Sequence, residues 1–263
     1  MAMSGKRVLI TGGSSGIGLE LARAFADRGA RAVITGRRQK AIDDAVDAIG
    51  GDVRGLAADV VTAEGRTETI AFVQERLGGL DILVNNAGGV RAGRLEATSE
   101  AEIRQMIEVN LAAPILLTRL AVPLLRKSHD ALLINVSSGI AQVGLPFYAT
   151  YAAVKAGVAH FGEALRREWF GEGIGVLTVY PTATDTPMMA TSGMHPPGGR
   201  EAASDVAREV IDAILEGRRD VVRGDAERQR MTQANRDDPA SVDTMLYGAK
   251  ATMEQAARDH SAL

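Results

Sequence analysis

The sequence predicts an α/β fold: a doubly wound, mostly parallel seven-stranded sheet with helices on both faces. Three observations carry this reading. Short β-branched runs alternate with longer helical patterns from Arg7 to Arg223. The strands are apolar on both faces, as required of a parallel sheet covered on both sides. The chain has 263 residues, of which 46% are hydrophobic and 24% charged, which suits one large core. A single domain over residues 1–263 is therefore expected.

Strands are predicted at Arg7–Thr11, Ala32–Thr35, Arg54–Ala57, Ile82–Asn85, Leu132–Ser137, Gly175–Tyr180 and Asp220–Arg223. Helices are predicted over Ile17–Arg28, Lys40–Ile49, Glu64–Leu77, Glu100–Arg126, Tyr151–Phe170 and Ser204–Glu216. No repeat or low-complexity tract interrupts the alternation. Two segments stand apart. Thr186–Arg200 carries Pro187, Pro196, Pro197, Gly193, Gly198 and Gly199, with Met188, Met189 and Met194 among them. Flexible apolar side chains in a long irregular stretch suit a substrate lid, 186–200, although an ordinary surface loop reads the same way. Residues 225–263 read as a charged helical C-terminal extension with a turn near Asp238-Pro239.

Composition removes several function classes. A net charge of −3 provides no basic field for nucleic acid or an anionic membrane. No cysteine is present, which excludes disulfides, thiolate nucleophiles and thiolate-bound metals. The four histidines, His129, His160, His195 and His260, show no metal-ligand spacing, so no metal site is expected. No stretch approaches the roughly 18 apolar residues of a membrane span or resembles a signal peptide. The expected location is the cytoplasm.

The first strand runs into Thr11-Gly12-Gly13-Ser14-Ser15-Gly16-Ile17-Gly18 and then directly into a helix. Glycines let the backbone turn tightly against an anion, and the free N–H groups of the helix start point at a phosphate. Gly12-Gly13-Ser14-Ser15-Gly16 also reads as the nucleophile elbow of a hydrolase, but no earlier strands exist to carry an oxyanion loop. At the end of the second strand, where a carboxylate would bind a ribose 2′-OH, stand Gly36, Arg37 and Arg38. Two guanidinium groups and no acid favour a 2′-phosphate, hence NADP over NAD.

Tyr151 and Lys155 lie four apart in a helical pattern and share one face. An ammonium beside a phenol should lower its pKa towards the working range, making Tyr151 a general acid or base. Tyr148 has Ala152 four residues on and lacks such a partner. Ser138 closes the fifth strand at the edge where ligands sit, so its hydroxyl can meet a substrate oxygen; Ser137 is the alternative. Pro114 lacks an N–H and crowds the carbonyl four residues back, that of Asn110. The helix should be disturbed there, and the freed carbonyl should take an ordered water.

These motifs, in this order and spanning Val8 to Thr186, resemble the short-chain dehydrogenase/reductase family. They are the Thr11…Gly18 loop, Asn85-Asn86-Ala87-Gly88, Asn110, Ser138, and Tyr151 with Lys155, thirteen and seventeen residues past Ser138. The resemblance implies a Rossmann-type fold and hydride transfer between NADP(H) and a small-molecule carbonyl or secondary alcohol. It implies that Asn110, Ser138, Tyr151 and Lys155 are catalytic, with Asn110 holding a water that leads to Lys155. Cofactor contacts are implied at Gly12, Ser14, Ser15, Gly16, Ile17 and Gly18, at Arg37 and Arg38, and at Asp59 and Val60 beside the adenine. Asn86, Ala87 and Gly88 would lie near the adenosine ribose, Lys155 and Tyr151 at the nicotinamide ribose, and Pro181, Thr184 and Thr186 at the nicotinamide. A homodimer or homotetramer through the two long helices is also implied.

One departure stands out. The family has Pro-Gly after the sixth strand, whereas Pro181 is followed here by Thr182, a side chain that should narrow the substrate side. An NADP-binding sensor or scaffold without turnover is the alternative, and an isomerase or dehydratase would need further acid–base groups. The substrate pocket is expected among Val90–Leu95, Ile140–Phe147 and Met188–Met194, with Arg91, Arg94 and Gln142 as its polar groups.

Overall fold

Residues 2–194 and 199–263 are described by a computed structural model. Along the first strand, β1 (Arg7–Thr11), Val8 and Ile10 face one side of the sheet while Leu9 faces the other, and all three are buried. The same two-residue alternation recurs in β2 (Arg31–Gly36), β3 (Val53–Ala57), β4 (Ile82–Asn85), β5 (Ala131–Val136), β6 (Ile174–Tyr180) and β7 (Asp220–Val222). The spatial order is β3-β2-β1-β4-β5-β6-β7. Every neighbouring pair is parallel, so the sheet expected to be mostly parallel is wholly so. This is the doubly wound Rossmann arrangement. Strand order reverses between β1 and β4, which opens a crevice at their carboxyl ends.

Two apolar layers hold the helices to the sheet. On one face, Leu21 and Phe25 of α1 (Gly16–Ala26), Ile42 of α2 (Gln39–Ile49), and Val206, Val210 and Ile214 of α7 (Ala203–Glu216) meet Val8, Ile10, Ile34 and Val84. On the other, Val73 and Leu77 of α3 (Ala63–Leu77) and Leu117 and Leu125 of α5 (Ala113–Leu125) meet Leu9, Val33, Leu83 and Leu133, with Trp169 just beyond α6 (Ala149–Glu168). Each such side chain contributes about 1.5–3 kcal/mol by leaving water.

The helix start at α4 (Glu100–Ile107) is fixed by a reciprocal cap between Ser99 and Glu102. A π turn over Glu108–Ala112 then joins α4 to α5. The resulting span, Glu100–Leu125, reaches a mean hydropathy of 1.5 and is long and apolar enough to cross a membrane by length and composition. The expectation that no segment passes that test is corrected here. Its Ala113, Leu117, Ala121 and Leu125 pack on the sheet, which accounts for their apolarity.

Two short strand pairings were not foreseen. Thr184–Asp185 pairs in parallel with Glu201–Ala202. The extension forms α8 (Ala226–Asp237) and α9 (Pro239–Ala257), split by Asp238, whose side chain caps α9. Ser261–Ala262 then pairs antiparallel with Val90–Arg91, bringing the chain end beside β4. Of the expected lid, Pro187–Met189 is a short 3-10 turn, while residues 195–198, including His195, Pro196, Pro197 and Gly198, lie outside the described residues.

At the amino end of the sheet Arg7 grips Asp81 through its backbone N–H and two guanidinium nitrogens at 2.7–2.9 Å, and the Ser128 hydroxyl donates to the same carboxylate at 2.6 Å. Burial pushes the Asp81 carboxyl up, but these donors outweigh it and hold the group well below the usual carboxylate range. Its contribution is therefore present above about pH 4 and is lost as pH falls through the lowered value. Asp81→Asn is expected to cost about 1.5–3 kcal/mol in urea unfolding at neutral pH, with the difference from the parent shrinking in acid.

Candidate active site

The crevice between β1 and β4 is a cleft of about 1270 Å³. That exceeds the roughly 300–1,000 Å³ of a typical small-molecule site and leaves room for two ligands side by side. One end is built by the β1–α1 loop. Gly12 and Gly16 take φ of +66° and +54°, which side chains resist. Gly12, Ser14, Ser15, Gly16 and Ile17 line the cleft. Gly18 does not. A Cβ there would lie 2.3 Å from the Gly12 carbonyl oxygen and 2.4 Å from Asn86 Nδ2, so this glycine allows α1 to close against the loop.

The loop is braced from β4. Thr11 Oγ1 accepts the N–H groups of Asn86 and Ala87 at 3.0 and 3.1 Å. Asn86 Nδ2 donates to the Thr11 and Gly12 carbonyls at 2.9 and 3.1 Å. Asn86, Ala87 and Gly88 therefore form one wall, with Asp59 and Val60 beside them. Asp59 Oδ1 is occupied by the Val61 N–H at 3.0 Å. Arg37 and Arg38 are exposed on the rim and form no ion pair among the described residues. Positive-φ glycines, free helix-start N–H groups and two unpaired guanidinium groups form a donor set that fits a dinucleotide phosphate.

Tyr151 and Lys155 sit one turn apart on α6, with Lys155 Nζ 5.7 Å from the Tyr151 ring centre. Lys155 is buried and donates to the Val136 carbonyl at 3.0 Å. Burial holds its ammonium down at about 8. The same burial pushes the Tyr151 phenol up beyond its ordinary range, with Tyr148 adding to it and a hydrogen bond to Ser138 opposing it. The expected lowering of the phenol by the lysine is therefore reversed in this structure. The ammonium is committed to a backbone carbonyl, and desolvation dominates.

The two serines part company. Ser137 Oγ donates to the Lys155 carbonyl at 2.7 Å and ties β5 to α6. Ser138 lines the cleft, and its hydroxyl accepts the Ile140 N–H at 3.3 Å. Asn110 is buried and lines no part of the cleft. Its amide donates to the Gly89 and Met106 carbonyls at 2.8 and 2.9 Å. The disturbance expected from Pro114 appears as the π turn, in which the Ala113 N–H reaches back to the Glu108 carbonyl.

Beyond Ser138 the cleft is closed by residues distant in sequence. Pro181, Thr182, Thr184 and Thr186 line it. Thr182 does not simply narrow the pocket: its N–H and hydroxyl both donate to Glu201 Oε1 at 2.9 and 2.8 Å, while Arg223 holds Oε2 at 2.9 Å. Tyr148, which has no lysine one turn on, donates to His260 Nδ1 at 2.9 Å. His260 Nε2 must carry the hydrogen, because it meets the Met188 carbonyl at 3.1 Å. Burial lowers the His260 pKa and keeps the ring neutral. No local pattern marks Glu201 or His260.

The pocket segments line the cleft through Val90, Ile140, Leu145, Met188, Met189 and Met194. The expected polar groups do not. Arg91 is paired with Glu102 at 2.9 Å and Arg94 with Glu254, and Gln142 borders a separate small hollow. The opposite wall comes instead from Arg228, Met231, Val242 and Met245 of the C-terminal helices.

Comparison with known proteins follows the same boundaries. The short chain dehydrogenase family matches residues 6–196. A 3-oxoacyl-[acyl-carrier-protein] reductase of Vibrio cholerae is 34% identical over 188 residues, 72% of this chain and 77% of its own. A 2,5-dichloro-2,5-cyclohexadiene-1,4-diol dehydrogenase of Sphingobium indicum is 36% identical over 191 residues, 72% of this chain and 76% of its own. Among solved structures, a 3-ketoacyl-(acyl-carrier-protein) reductase from Brucella melitensis complexed with NADH superposes with a TM-score of 0.76. It is 25% identical, covering 84% of this chain and 96% of that one.

Proposed function

This chain belongs to the short-chain dehydrogenase family, and from that premise we propose that it transfers a hydride between NADP(H) and a carbonyl or secondary alcohol, with Tyr151 handling the proton. The family's chemistry is oxidoreduction. The observation that carries it is the placement of Tyr151, Lys155 and Ser138 at one end of the cleft whose other end is the glycine loop.

A bound nicotinamide would supply or take the hydride. Gly12 to Ile17 would hold its pyrophosphate, and Pro181, Thr184 and Thr186 would flank its amide end. Ser138 and Tyr151 orient the substrate oxygen between two hydroxyls. Tyr151 then donates its proton as the carbonyl becomes an alcohol. A phenol raised by burial remains protonated at working pH, as an acid must. Lys155 steadies the resulting phenolate and passes a proton back to it from the side of Asn110, restoring the phenol. Support for NADP is the rim pair Arg37 and Arg38 with no carboxylate at the end of β2.

Three outcomes test this. Tyr151→Phe should bind cofactor like the parent, measured by nucleotide fluorescence, while turnover of ketones falls by about a hundredfold or more. Undiminished turnover removes Tyr151 from its role. Replacing Arg37 and Arg38 together by Ala should lower kcat/KM with NADPH by about tenfold to a hundredfold and leave NADH unaffected. An equal loss with both cofactors would remove the phosphate contact. Lys155 is protonated below its value of about 8 and neutral above it. Carbonyl reduction should therefore hold level below pH about 8 and fall about tenfold per unit above it, with the fall moved to higher pH in Lys155→Arg.

A further inference from the structure

Among the described residues, the guanidinium of Arg228 is the one cation lining the cleft that is partly buried and has no carboxylate partner. It enters from the first turn of α8, in the extension. Its side chain lies flat over Gly139, the residue after Ser138: a Cβ on Gly139 would meet Arg228 Nη2 at 2.6 Å and Nε at 2.8 Å. A side chain on Gly139 would displace the guanidinium from that space. On its other side, a Cβ on Gly224 would meet Arg228 Cδ at 2.9 Å. The group is thus wedged between two backbone segments.

Among the described residues its guanidinium donates no hydrogen bond. Outside the helix ladder Arg228 donates only its backbone N–H, to Asp225 Oδ1 at 2.9 Å, and accepts the Thr232 hydroxyl at its carbonyl at 3.0 Å. No carboxylate comes within 4.0 Å of the guanidinium among the described residues. Asp225 is engaged as the α8 cap, and Glu227 lines the cleft without reaching Arg228. The neighbouring Arg223 shows what pairing looks like, with Glu201 at 2.9 Å and Glu209 at 3.5 Å. Burial costs Arg228 part of its hydration and pulls its pKa down. A half-desolvated guanidinium with free planar donors is a ready receptor for a planar anion. The surrounding wall is apolar and rich in methionine: Met188, Met194, Met231, Val242 and Met245.

We propose that Arg228 binds a carboxylate of the substrate, so that the cleft takes oxo acids or hydroxy acids with an apolar body. The carboxylate lies a short carbon chain from the reacting oxygen, because Gly139 directly follows Ser138 and adjacent Cα atoms are about 3.8 Å apart. This deepens the oxidoreductase reading and rests on it for the reaction, but not for the binding.

The test separates the two. Octanoate and octanamide are titrated calorimetrically into the full chain in the presence of NADP. The parent should bind octanoate about tenfold or more tightly than octanamide. Arg228→Met should abolish that preference while octanamide and cofactor binding stay unchanged, and Arg228→Lys should keep part of it. In turnover, an aliphatic oxo acid should exceed its methyl ester by about tenfold in kcat/KM, through KM, with the difference gone in Arg228→Met. A parent without preference, a preference that survives Arg228→Met, or a loss confined to cofactor binding overturns the proposal. Turnover of neutral ketones without preference for acids leaves the reaction standing and removes the carboxylate. Octanoate preference without any turnover removes the reaction and leaves the anion site.

Discussion

The closure of the β1–α1 loop against the end of β4 is the constraint on which the site depends. Strand order reverses between β1 and β4, which leaves a crevice at their carboxyl ends. The loop can lie there only because Gly18 has no side chain to strike the Gly12 carbonyl and Asn86. Thr11 and Gly12 then accept four hydrogen bonds from Asn86 and Ala87 across the gap, which fixes two strands' ends in one geometry. A phosphate-sized concavity and the wall beside it come from that single contact.

Burial sets the chemistry at the other end. Lys155 is buried and Tyr151 half-buried where α6 meets the end of β5, and desolvation moves the two groups in opposite directions: the lysine down and the phenol up. Both shifts favour neutral species, so the pair starts as a proton donor beside an ammonium that gives up its proton easily. Ser137 holds α6 to β5 through the Lys155 carbonyl, and Lys155 returns the bond to Val136, so position and ionisation are fixed by the same two elements. The buried amide of Asn110, locked to Gly89 and Met106, fills the π turn behind them.

The substrate side is assembled from remote pieces. Glu201 holds Thr182 with one oxygen and Arg223 with the other, joining the loop after β6 to the end of β7. Tyr148, His260 and the Met188 carbonyl join the start of α6, the chain end and the loop carrying the methionines. Gly139 leaves space for Arg228 from α8. These contacts make the C-terminal helices part of the cleft wall rather than an appendage.

Strand periodicity, the glycine spacing and the Tyr151–Lys155 interval were legible in the amino-acid sequence because each is local: alternation, a tight turn and one helical turn place residues by chain geometry alone. The seven strands fall within a residue of their expected bounds for that reason. Which serine hydroxyl is tied to α6, which way the phenol's pKa moves, what Thr182 does and where the cleft's polar groups come from were decided by tertiary structure. Arg91 and Arg94 are near the pocket in sequence but spent on Glu102 and Glu254, while Arg228, more than 70 residues past Tyr151, reaches it. Desolvation and ion pairing depend on what packs against a group from elsewhere in the chain, and no local pattern encodes that.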